Sequence, residues 1–158
     1  MKRTTLPLVT TLLLTSTLVM GDWRSSADEE TKIDNLVRAM PNTADLMLLV
    51  GARYNNLYWA AKQENWEFAA YQAKELRGLL NKNMITRPGR SEGLQGFLES
   101  AYPTIDEAIA SADWADFEGA FINLRSACLA CHVDSGFSFI GLPVIPPLPN
   151  NPALHLAE

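Results

Sequence analysis

Cys128-Leu129-Ala130-Cys131-His132 sets two thiols three positions apart and places an imidazole directly after the second. Several chemistries use such a cysteine pair. Disulfide exchange needs a low-pKa thiolate, in a thioredoxin-like βαβ setting. A zinc site needs four ligands, and the sequence holds no second pair of cysteines. A plain disulfide would leave the histidine without a role. C-x-x-C-H as a whole is the attachment signature of c-type haem. Cysteines three apart share one face of a helix and can add to the two vinyl groups of a single porphyrin. The histidine is then held beneath the iron as proximal ligand. The expectation is one covalently bound haem c, with Cys128 and Cys131 as its thioethers and His132 on its iron.

The elements that must position this motif are helical. From Asn42 onward the apolar residues follow alternating spacings of three and four. The first helix is expected from Asn42 or Thr43 to about Gln63, with Met47, Val50, Tyr54, Leu57 and Ala61 on its inner stripe. The second starts near Asn65 and turns Trp66, Ala69, Ala73, Leu76 and Leu80 inward. The third starts near Ser91 and carries Leu94, Phe97, Ala101, Ile105, Ala108 and Ala112. Pro103 should kink it or mark its true start. The fourth is capped by Asp113 and stopped by Gly136. On it Trp114, Phe117, Phe121, Leu124, Cys128 and Cys131 form one seam, so the cysteines continue the core and a haem bonded there lies between helices. Short links, including a Pro88-Gly89 turn, imply an all-α, up-down-up-down four-helix bundle over 28–136. Residues 28–40 carry a weak signal for one further short helix.

Pro143, Pro146, Pro147, Pro149 and Pro152 rule out a helix in the last segment, 137–158. Two readings stand for it. It covers a cofactor edge through Phe137, Phe139 and Ile140, or it is a loosely ordered tail.

Met1-Lys2-Arg3, a short leucine-rich stretch and then small residues describe a secretory signal peptide over 1–27, with cleavage after Gly21 or Ala27. The apolar run is shorter than the roughly 18–20 residues of a membrane span. Cleavage after Ala27 leaves ten basic and seventeen acidic residues, and a periplasmic or otherwise exported location is expected. The acidic balance argues against nucleic acid and suits basic or polar protein partners.

Over Ala108–His132, and in the Leu46-Met47 pair, the chain resembles the cytochrome c′ group and its b-type bundle relatives. A closer resemblance is to small bacterial cytochromes with a Leu-Met on the first helix, a stretch like Asn65-Trp66-Glu67-Phe68-Ala69-Ala70-Tyr71, and C-x-A-C-H followed by Phe, Ile and prolines. It covers most of 42–149, but only the haem motif is specific. One departure stands out. The basic, aromatic sequence that follows the histidine in cytochrome c′ is replaced by Val133-Asp134-Ser135-Gly136, so that group's chemistry at the haem edge does not carry over.

The resemblance makes Met47 the candidate ligand opposite His132, because the b-type relatives use a methionine on the first helix. Gly51, one turn on, would allow close approach of a porphyrin. Methionine ligation raises the reduction potential and suits an electron carrier. The competing reading makes Met47 a core residue and leaves the iron five-coordinate, open to a diatomic gas such as nitric oxide or carbon monoxide. Met40, Met84 and His155 are poor alternatives. Arg53 and Arg125 are either propionate partners or surface charges. Tyr54 lines the distal pocket or belongs to the core, and Trp59, Trp66 and Trp114 are packing residues. No nucleophile-base pair, phosphate loop or second metal cluster is apparent, so electron transfer between redox partner proteins is expected rather than catalysis. Homodimers occur in the cytochrome c′ group, but no stripe here demands one.

Overall fold

The computed structural model describes residues 22–154, and no strand occurs among them. The body of the expected leader, its Gly21 cleavage point and His155 lie outside the described residues. Backbone contacts divide the chain after Ala39.

In the first unit α1 spans Trp23–Ser26 and α2 spans Glu29–Ala39. The Asp28 carboxylate accepts from the Thr31 N–H at 2.7 Å, which caps α2. Ile33, Leu36 and Val37 are exposed on it.

The second unit, from Met40 onward, holds four long helices: α3 (Thr43–Lys62), α4 (Trp66–Thr86), α5 (Ser91–Ser111) and α6 (Trp114–Asp134). Their ends follow the local chemistry. Asn42 and Asp45 close a reciprocal capping box at the start of α3. The Asn65 side chain takes the Phe68 N–H, and Asp113 takes the N–H groups of Ala115 and Asp116. Tight reversals separate the helices, with Glu64 (φ 59°) and Ala112 (φ 53°) in the left-handed region. Pro88–Arg90 forms a 3-10 turn before α5.

α5 starts at Ser91 and runs through Pro103. Pro103 lies on the exposed side, where water can take the carbonyl that its missing N–H leaves free. Tyr102 and Ile109 are buried, while the expected inner residue Ala112 is exposed because the helix has already ended there. On α3 the deepest residues are Leu46, Tyr54, Leu57, Tyr58, Ala60 and Ala61; Met47 and Val50 are half-buried against the core.

α3 packs on α4, α4 on α5, α5 on α6, and α3 meets α6. Contacts along α3 and α6 fix an antiparallel register. The Lys62 ammonium lies 3.9 Å from the Trp114 ring centroid, Tyr58 meets Trp114 edge-on at 5.6 Å, and Tyr54 stacks on Phe121 at 4.4 Å. Rings of α6 thus close the core opposite those of α3.

After α6 the described residues carry no further α-helix. The expectation of no helix at all fails at a 3-10 turn over Pro152–Leu154, where Pro152 stands at the start and needs no N–H partner. Pro146 and Leu154 are buried and Leu142 packs against the core. Phe139 and Ile140, expected as packing residues, are exposed, and Phe137 lies 5.1 Å beneath the Arg90 guanidinium. The inward contacts come instead from every few residues of a proline-rich strap whose carbonyls accept side-chain hydrogen bonds.

Candidate functional site

α6 presents its seam in two halves. Phe117, Phe121 and Leu124 are buried, and Cys128 and Cys131 continue the line as half-buried free thiols against the core. Burial pushes the Cys128 thiol up to about 12, and neighbouring Cys131 adds to the shift. Both cysteines lie in the last turns of α6, where the helix dipole disfavours an anion. Disulfide-exchange enzymes need the opposite arrangement, a thiolate stabilised at a helix N-terminus. Nor do three His, Cys, Asp or Glu side chains converge for a metal ion among the described residues. The two thiols share one helical face, the placement that thioether formation to a single group needs.

The end of α6 places the histidine. The N–H of Gly136 donates to the Val133 carbonyl at 3.0 Å and that of Phe137 to the His132 carbonyl at 2.7 Å. This is a Schellman reversal, and Gly136 supplies its positive φ of 83° without the Cβ penalty. The chain folds back through an Ile140 N–H to Phe137 carbonyl bond of 2.9 Å. The Ile140 carbonyl then lies 3.0 Å from His132 Nδ1. A carbonyl only accepts, so Nδ1 is the donor in this contact and Nε2 is the ring nitrogen left for a metal. Metal-binding histidines are oriented in this way by a backbone partner.

The ring contacts between α3 and α6 put the start of α3, which carries Met47, at the same end of the pair as Cys128 and His132. Met47 is half-buried, its neighbour Leu46 is buried, and Gly51 is exposed. Arg53 donates to Gln72 Oε1 at 3.2 Å, and Arg125 Nε donates to the Leu142 carbonyl at 2.9 Å. Tyr54 is a core residue whose hydroxyl reaches the Pro143 carbonyl at 3.4 Å; burial raises its pKa strongly. Trp59, Trp66 and Trp114 all pack against the core.

Two features were beyond sequence reasoning. The Ile140 carbonyl is a backbone group and has no signature in residue type. Asn83 is 1% exposed, takes the Thr43 hydroxyl on Oδ1 at 3.0 Å and leaves Nδ2 without a partner. A buried amide donor with no acceptor costs free energy. The two thiols on one helical face and the oriented imidazole that follows them fit a haem.

A shallow open groove between α4 and α5, lined by Trp66, Lys74, Arg77 and Asp106, lies at the other end of these helices. No helix of the described residues is long and apolar enough to cross a membrane. Comparison with protein-family models, with curated proteins and with solved structures gives no match to this chain.

Proposed function

We propose that this chain is an exported, monohaem c-type cytochrome that carries electrons between periplasmic protein partners. Its four long helices form an up-down-up-down bundle, with Cys128 and Cys131 as the thioether residues and His132 as proximal ligand. The carrying observation is the hydrogen bond from His132 Nδ1 to the Ile140 carbonyl, directly after a C-x-x-C pair on the same helix. It leaves Nε2 as the one ring nitrogen able to bind iron. A bound haem supplies reversible one-electron chemistry at its iron. The protein's part is to hold that iron rigidly in a low-dielectric surround. The buried aromatic tier of Tyr54, Phe117 and Phe121 provides the rigidity.

Met47 is the proposed distal ligand, on the helix whose start lies at the same end as Cys128. Its packing against the core favours a second reading, in which it is a core residue and an open iron binds nitric oxide or carbon monoxide. Ferrous absorption spectra with and without carbon monoxide separate the two. A low-spin spectrum that ignores the gas, lost in Met47→Ala together with a fall in potential, supports the carrier. A high-spin spectrum that shifts with the gas in the unmodified protein makes it a gas-binding protein.

A further inference from the structure

The strap that supplies the carbonyl to His132 is itself held by side chains of two helices. Arg125 Nε of α6 donates to the Leu142 carbonyl at 2.9 Å. On α3, Trp59 Nε1 donates to the Pro146 carbonyl at 2.9 Å and the Tyr54 hydroxyl to the Pro143 carbonyl at 3.4 Å. These donors and His132 thus take four carbonyls within seven residues of strap. Prolines at 143 and 146 have no N–H, so carbonyls are the only backbone handles there. Their fixed φ stiffens Leu142–Pro146, and Gly141 alone separates this anchored stretch from Ile140. Apolar packing alone does not explain this. Leu142, Pro146 and Leu154 pack inward, but Phe139 before them and Val144 and Ile145 between them are exposed.

We propose that Arg125 and Trp59, aided by Tyr54, are positioning residues for the proximal histidine. By pinning the strap they hold the Ile140 carbonyl on Nδ1, and so select the tautomer and ring angle that present Nε2 to the iron. The proposal rests on reading His132 as that ligand. It goes beyond that reading by placing control of the ligand in side chains remote from the motif. Donation from Nδ1 makes the imidazole a more basic ligand and favours ferric iron. Loosening the strap therefore raises the reduction potential.

The test uses the full chain with Trp59→Phe and Arg125→Met, singly and together, checked for helix content by circular dichroism. The first readout is the tautomer of His132 by nitrogen-15 NMR on haem-free protein. The unmodified chain should show a protonated Nδ1. The double variant should shift toward a protonated Nε2, and each single variant should shift part of the way. The second readout is the potential of the haem-loaded protein, which should rise in the same order. An unchanged tautomer in folded single variants overturns the proposal, whether or not the double variant folds. A chain that never takes up haem overturns the cytochrome reading instead, and the tautomer measurement still decides whether the strap positions His132.

Discussion

At the start of α6, Trp114, Phe117 and Phe121 meet Trp66, Tyr58 and Tyr54 ring against ring, at centroid separations of 4.4–6.0 Å. At its end Cys128, Cys131 and His132 meet no such tier; they are half-buried, and the imidazole reaches a strap carbonyl. Two turns of one helix separate a fully buried aromatic core from a region that carries two thiols and an oriented imidazole. The contrast teaches where stability resides and where chemistry is held ready. On the proposed reading, the ring-packed end holds the fold while the other end is left to take the haem.

The largest expected effect breaks the aromatic half. Phe117 is fully buried, and Phe117→Ala should cost about 3–5 kcal/mol in urea unfolding. Haem per folded molecule should stay unchanged. Cys131→Ala at the other end should cost the haem-free chain only about 1 kcal/mol. It should nevertheless abolish one thioether, read from the haemochrome spectrum.

Alkaline titration sharpens the same contrast. The usual pKa of Cys128 is 9.0 and burial raises it to about 12 in the folded chain. A raised folded value contributes stability that is present in full below pH 9 and is lost as pH climbs through 12. Tyr54 and Tyr102, also raised by burial, act in the same sense in every form of the protein. Haem-free protein should therefore lose more stability over this window than haem-loaded protein, whose thioether sulfur does not titrate. Thermal unfolding at stepped pH reads the difference.

Smaller effects come from single hydrogen bonds. Asp113→Ala removes the acceptor for two N–H groups at the start of α6 and should cost about 1 kcal/mol, with the haem spectrum intact. Trp59→Phe should cost about 1 kcal/mol or less in stability, while altering the environment of His132.

Much of this was legible in the sequence because it is written in residue type and spacing. Asn42, Asn65 and Asp113 announce helix starts by their capping side chains, and Gly136 announces a stop by its freedom to take positive φ. The aromatic and cysteine seam of α6 follows from the helical period alone. Periodicity was less exact where helices end or cross at an angle. It placed Ala112 inside and missed Tyr102 and Ile109, and it ranked Met47 above the more deeply buried Leu46. The strap was hardest to read. Prolines excluded a helix there, but its fixing depends on carbonyls that every residue owns, and on donors far off in sequence at Tyr54 and Trp59. For the same reason Arg125, weighed as a propionate partner or a surface charge, proves to be a tether to Leu142.

Covalent haem at Cys128 and Cys131, the core of the proposed function, is read from the pyridine haemochrome of denatured, acid-acetone-extracted protein purified from a host that attaches haem during export. Covalent attachment at both cysteines gives one haem per chain, resistant to extraction, with the spectrum of a porphyrin whose two vinyl groups are both saturated. Colourless protein with two free thiols, or haem that leaves on extraction, would contradict it.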